Sequence, residues 1–73
     1  MKEEFSKYDK VVYGGEIFEV LETADNTGMM KIEPLFDDTY KFIWVDEEMV
    51  VSLSRAIKLR LVDDETADEA KNF

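Results

Sequence analysis

The chain has no cysteine, no histidine, one proline, three glycines and only nine basic residues among 73. Without cysteine there are no disulfides and no thiolate metal ligands, which fits a reducing compartment. Without histidine there is no imidazole ligand, no Ser–His or Cys–His nucleophile pair, and no ordinary general base near neutral pH. No apolar run nears the roughly 18 residues a membrane span needs. The opening MKEEFSKYDK is charged, with no apolar stretch behind it of the kind a secretory signal carries. These absences predict a cytoplasmic, non-enzymatic protein with no cofactor and no metal. So short a chain buries only about 60% of its unfolded surface, which leaves it one thin core.

Hydrophobic residues make up 45% of the chain, too many for a disordered segment. Eighteen acids against nine bases give a net charge of −9, unevenly placed. Residues 1–15 are balanced, and residues 16–48 carry ten acids and two bases. Residues 49–62 hold Arg55, Lys58 and Arg60 with no acid, and residues 63–73 carry five acids and Lys71. Such a field repels nucleic acid and anionic membrane and favours a protein partner with a basic surface.

Residues 1–8 read as a polar lead-in and 9–62 as the folded domain. Lys10 to Tyr13 is short, β-branched and aromatic, as a strand should be. Gly14-Gly15 follows, and Glu16 to Thr23 reads as a second strand. A helical stripe of Ile17, Val20, Leu21 and Ala24 is the competing pattern there, but the segment is short and lacks a good N-cap. Ala24 to Gly28 is a loop. Met29 to Leu35 alternates, and Pro34 places its far end on an edge or at a bulge. Tyr40 to Val45 alternates most strongly, with Tyr40, Phe42 and Trp44 on one face. Asp46 caps a helical turn over "DEEM". Beyond it Val50, Leu53 and Ile57 share a helical face, while Ile57, Leu59 and Leu61 alternate as a last strand. The tail 63–73 lacks an apolar pattern and is expected to be frayed and flexible, or at best a short helix started by Thr66 with Glu69. The expected core is Phe18, Val20, Ile32, Phe42, Trp44, Leu59 and Leu61.

Gly14-Gly15 could cradle a phosphate or turn the chain. A phosphate loop needs a following helix and a lysine at a fixed offset, whereas Glu16 and Glu19 come next. A Gly-Gly pair between two apolar runs is the mark of a two-residue hairpin, since both positions of a type I′ turn require positive φ. The acid clusters Asp37-Asp38, Asp46-Glu47-Glu48 and Asp63-Asp64-Glu65 lack the spacing of a metal loop or a hydrolase pair.

Val11, Tyr13, Gly15, Phe18 and Val20, followed later by "IWVDEE", resemble the SH3-like small barrels, the group that includes Tudor and KOW modules. The resemblance spans roughly residues 9–62. It implies a mainly β fold: a small five-stranded antiparallel barrel with one short helical turn. It also raises the aromatic cage such barrels place beside an acid, for which Tyr8, Tyr13, Tyr40, Phe42 and Trp44, with Asp46 nearby, are the candidates, Tyr13, Tyr40 and Trp44 foremost. In size, acidity and lack of cysteine and histidine the chain is also similar to small phage-encoded proteins, whose setting would be the host cytoplasm. The expected function is therefore an acidic protein-binding module, in its sharpest form an inhibitor that mimics nucleic acid. Its face would be Glu16, Glu19, Glu22, Asp37, Asp38, Asp46, Glu47 and Glu48. The alternatives are a ligand-reading domain that uses the aromatic cluster and a small structural subunit of a larger complex. A monomer or weak homodimer is expected.

Overall fold

The computed structural model describes residues 3–36 and 41–72, so Asp37, Asp38 and Tyr40 lie outside the described residues. The strands are β1 (Lys10–Tyr13), β2 (Glu16–Glu22), β3 (Met29–Pro34), β4 (Ile43–Asp46) and β5 (Val51–Ser52). Two helices follow, α1 (Leu53–Lys58) and α2 (Asp64–Lys71). The strands form one antiparallel sheet in the order β4-β3-β2-β1-β5. No described helix is long and apolar enough to cross a membrane.

Gly14 and Gly15 have φ of +60° and +82°, the signs a type I′ turn requires, and pair Tyr13 with Glu16 across it. The glycines turn the chain. The Ala24–Gly28 loop also forms as expected, with Gly28 at φ +81°. Pro34 faces β2 alone, because the β3–β4 ladder stops at Ile32. Its missing N–H therefore costs no pairing.

β4 and β5 lie at opposite edges of the sheet, yet only residues 47–50 join them. Four strand intervals of ~4.8 Å would put them roughly 19 Å apart in a flat sheet. Glu47–Met49 is wound as a 3-10 turn, which rises only ~2 Å per residue. So short a link forces the sheet to curl strongly. Among the described residues no ladder joins β4 to β5, and the curl stays open.

Curling gives the sheet an inner and an outer face. Inside are Val11, Phe18, Val20, Met30, Ile32, Val45 and Val50, with Phe5, Tyr13, Ala24 and Ile43 packed against them. Val12 and Ile17 point the other way and are covered by Leu53 and Ala56 of α1 and Ala67 and Ala70 of α2. Both faces are thus buried at the hairpin end, so adjacent Val11 and Val12 are both in the core.

Phe18, Val20 and Ile32 are core residues as expected, but Phe42, Trp44, Leu59 and Leu61 are not. The parity in β4 is as read and the face is reversed: Ile43 and Val45 point inward, leaving Trp44 47% exposed. The expected last strand over Ile57–Val62 is instead the end of α1 and a turn. Ser52 accepts the Arg55 N–H as N-cap, while Leu53 and Ala56, three apart, bury one side. Where α1 ends, the Leu61 N–H bonds the Ala56 carbonyl and the Arg60 N–H that of Ile57. This is a Schellman motif with Arg60 at φ +58° in the place glycine favours. A left-handed non-glycine residue costs roughly 1–2 kcal/mol.

The tail is not frayed. Asp63 caps α2 by accepting the Thr66 N–H at 2.7 Å, one turn earlier than the sequence pattern placed the cap. Ala67 and Ala70 let the helix approach the sheet closely, because their side chains end at Cβ.

Phe18→Ala should cost about 3–5 kcal/mol, whereas Trp44→Thr should cost about 1 kcal/mol or less. Denaturant unfolding of the two variants checks the assignment, and the reverse order would place Trp44 in the core. Amide exchange should find Ala67 and Ala70 protected to the level of the strands. Rapid exchange at both would return the tail to a frayed state.

Candidate functional site

Away from the helices the outer face of β2, β3 and β4 is open to solvent. Register brings its side chains into rows: Glu19 opposite Glu33, Glu22 opposite Lys31, and Lys31 opposite Trp44. The β2–β3 register shifts between Val20 and Glu22, which turns Glu22 toward Lys31. The Lys31 ammonium lies 3.8 Å from Glu22 Oε2, 4.1 Å from the centre of the Phe42 ring and 6.0 Å from that of Trp44. A cation is thus held against two aromatic rings and one carboxylate. The rings are 44% and 47% exposed. Lys10 on β1 ties down Glu19 at 3.0 Å, which eases the repulsion between Glu19 and Glu33.

The acids expected to share one surface are divided. Glu19 and Asp46 have outer-face parity and the register shift brings Glu22 to the same face, but Glu16 sits at the hairpin end with the parity of inward-facing Phe18. Asp46 caps the 3-10 turn by accepting the Glu48 N–H at 2.9 Å, as expected. Glu47 borders a shallow depression with Glu3, Glu4, Phe5, Thr23 and Ala24. Its backbone N–H bonds the Gly28 carbonyl and anchors the turn to the β2–β3 loop. Glu48 is exposed.

The cage is not assembled as expected. Tyr13 packs edge-on against Phe18 at 6.1 Å on the inner side, so the sheet separates it from Trp44. The pair that does form is Phe42 with Trp44, joined by Lys31 and flanked by Glu33. The signal for it was present in two alternating strands, but it becomes a site only once β3 and β4 are in register. Among the described residues no three acids converge in a way that could hold a metal ion.

Two exposed carboxylates have clearly lowered pKa values. For Asp25 the cause is first the Thr27 hydroxyl at 2.6 Å, then the Thr27 N–H at 2.8 Å, with Met29 N–H adding at 3.3 Å. For Asp63 it is the Thr66 side chain and then its N–H. Both groups shape turns. Their contribution to stability is complete above the unfolded value of 3.8 and is lost as pH falls through the lowered native value.

Comparison with protein-family models, curated proteins and solved structures returned no match.

Carboxyl NMR titration should place the midpoints of Asp25 and Asp63 below 3.8. Thr27→Val should move Asp25 back toward that value and leave Asp63 unchanged. An unmoved Asp25 would remove the hydroxyl as the main cause.

Proposed function

We propose that this chain is a non-enzymatic binding module whose outer sheet face receives a protein partner with a basic surface. The observation that carries this reading is the half-exposed pair Phe42 and Trp44, packed around Lys31 and bordered by Glu22 and Glu33. Adjacent large aromatic rings left open to water are the usual anchors of an interface. The surrounding carboxylates and the net charge of −9 select for arginine and lysine on the other side. An incoming guanidinium would exchange with Lys31 over the rings, leaving Lys31 to Glu22.

The strand order and the curl support the SH3-like small-barrel reading, in which a short helical turn likewise precedes the last strand. The nucleic-acid-mimic form is the narrower proposal. Lys10 and Lys31 interrupt the carboxylates on this face, so it lacks the unbroken negative row of a phosphate backbone. A basic protein surface fits it without requiring that row.

An oligoarginine peptide is a suitable probe. Its addition should shift the NMR signals of Lys31, Phe42 and Trp44 before those of the inner face. The affinity should fall several-fold as salt rises from about 50 to 200 mM, because exposed charges are screened over ~8–10 Å. Phe42→Thr with Trp44→Thr should weaken binding further while the fold persists. Shifts confined to the Glu3–Glu47 depression, or none at all, would overturn the assignment.

A further inference from the structure

Further along the chain than β4, the turn that ends α1 has the opposite character. Leu59 and Leu61 are 53% and 48% exposed, on either side of the left-handed Arg60. Lys58 and Arg60 form no ion pair with any described residue, although acids outnumber bases two to one. Arg55 is taken by Glu3 at 3.7 Å, and Asp63, the nearest acid along the chain, is committed to capping α2. Two unpaired cations and two open leucines therefore stand at a turn whose backbone would be more relaxed with glycine.

We propose that this turn docks onto the outer face of a second copy of the chain. The inference rests on the binding-module reading, since it names one occupant of the same face. Each half of the contact is present in one molecule: Lys58 and Arg60 meet Glu33, beside the Lys31-paired Glu22 and the turn-capping Asp46, while Leu59 and Leu61 meet Phe42 and Trp44. Charge and apolarity match at once. Because the two patches differ, the contact is head-to-tail and adds copies in series rather than stopping at a symmetric dimer. An external basic partner then competes with the chain's own turn for the face.

Sedimentation equilibrium tests this on the intact protein. The weight-average mass should rise steadily above the monomer value as concentration approaches ~1 mM, the range of a weak contact. Leu59→Ser with Arg60→Gly removes the turn, and Phe42→Thr with Trp44→Thr removes the face. Each variant alone should remain monomeric, yet an equimolar mixture should form a one-to-one dimer, because one intact patch of each kind remains. Arg60→Gly alone should raise the melting temperature and still weaken association several-fold. A wild-type chain that stays monomeric at ~1 mM overturns the contact. So does association that survives in either double variant, or a mixture that stays monomeric. If oligoarginine still shifts Trp44 of the wild-type chain in any of these cases, the homotypic contact alone is lost and the binding module stands.

Discussion

Four residues join the opposite edges of a five-stranded sheet, and the rest of the fold follows from that short link. Asp46 starts the 3-10 turn, Glu47 pins it to Gly28, and the sheet has to curl to bring β4 and β5 within reach. Curling creates an interior narrow enough for about one layer of side chains, filled from both sides by Phe18, Met30, Ile32 and Val11. It also leaves a convex exterior. Two short helices cover only the hairpin end of that exterior, by way of Val12 and Ile17. The remainder, including Trp44, is left exposed by the described residues.

Gly14-Gly15 and the Asp46 turn were legible because each rests on local chemistry: positive φ in one case, an N-cap acceptor in the other. β4 was legible only in its parity. Alternation separates Phe42 and Trp44 from Ile43 and Val45 but does not say which set faces inward, and a one-residue change of phase exchanges the sets. The interior chose the smaller β-branched pair. α2 was hidden for a different reason. Its buried stripe consists of Ala67 and Ala70, which carry little hydropathy but allow close approach of helix and sheet. For α1, the alternation of Ile57, Leu59 and Leu61 competed with the spacing of Leu53 and Ala56. The Ser52 cap and the contact with the sheet decided for the helix.

The candidate site was less legible than the fold. A block of ten acids in residues 16–48 suggested one negative surface, yet several of them serve local structure. Asp25 holds a loop, Asp46 caps a turn, and Glu19 and Glu22 pair with lysines across the sheet. What the block contributes to the outer face is a charged frame around two rings. Glu22, Lys31 and Trp44 come from β2, β3 and β4, and only the β2–β3–β4 register places them together.

Net charge would seem to forbid any contact between copies, since each carries −9. The dimensions of the molecule argue otherwise. It measures 35 × 31 × 18 Å, whereas charges in physiological salt are felt over only ~8 Å. Most acids on one copy are therefore screened from most acids on the next, and the groups nearest a contact decide its sign. At the α1 turn those groups are Lys58 and Arg60, with Asp63 engaged as the cap of α2 and Asp64 bordering the same depression as the two cations. The same screening acts on an external basic partner, which is drawn by the local frame around Trp44 more than by the total charge. Raising salt should thus act in two opposed ways on copies of this chain, relaxing the long-range repulsion while weakening the short-range ion pairs. For an oppositely charged partner both terms weaken together. Association that strengthens as salt rises therefore marks a second copy of the chain, since binding of a basic partner can only weaken.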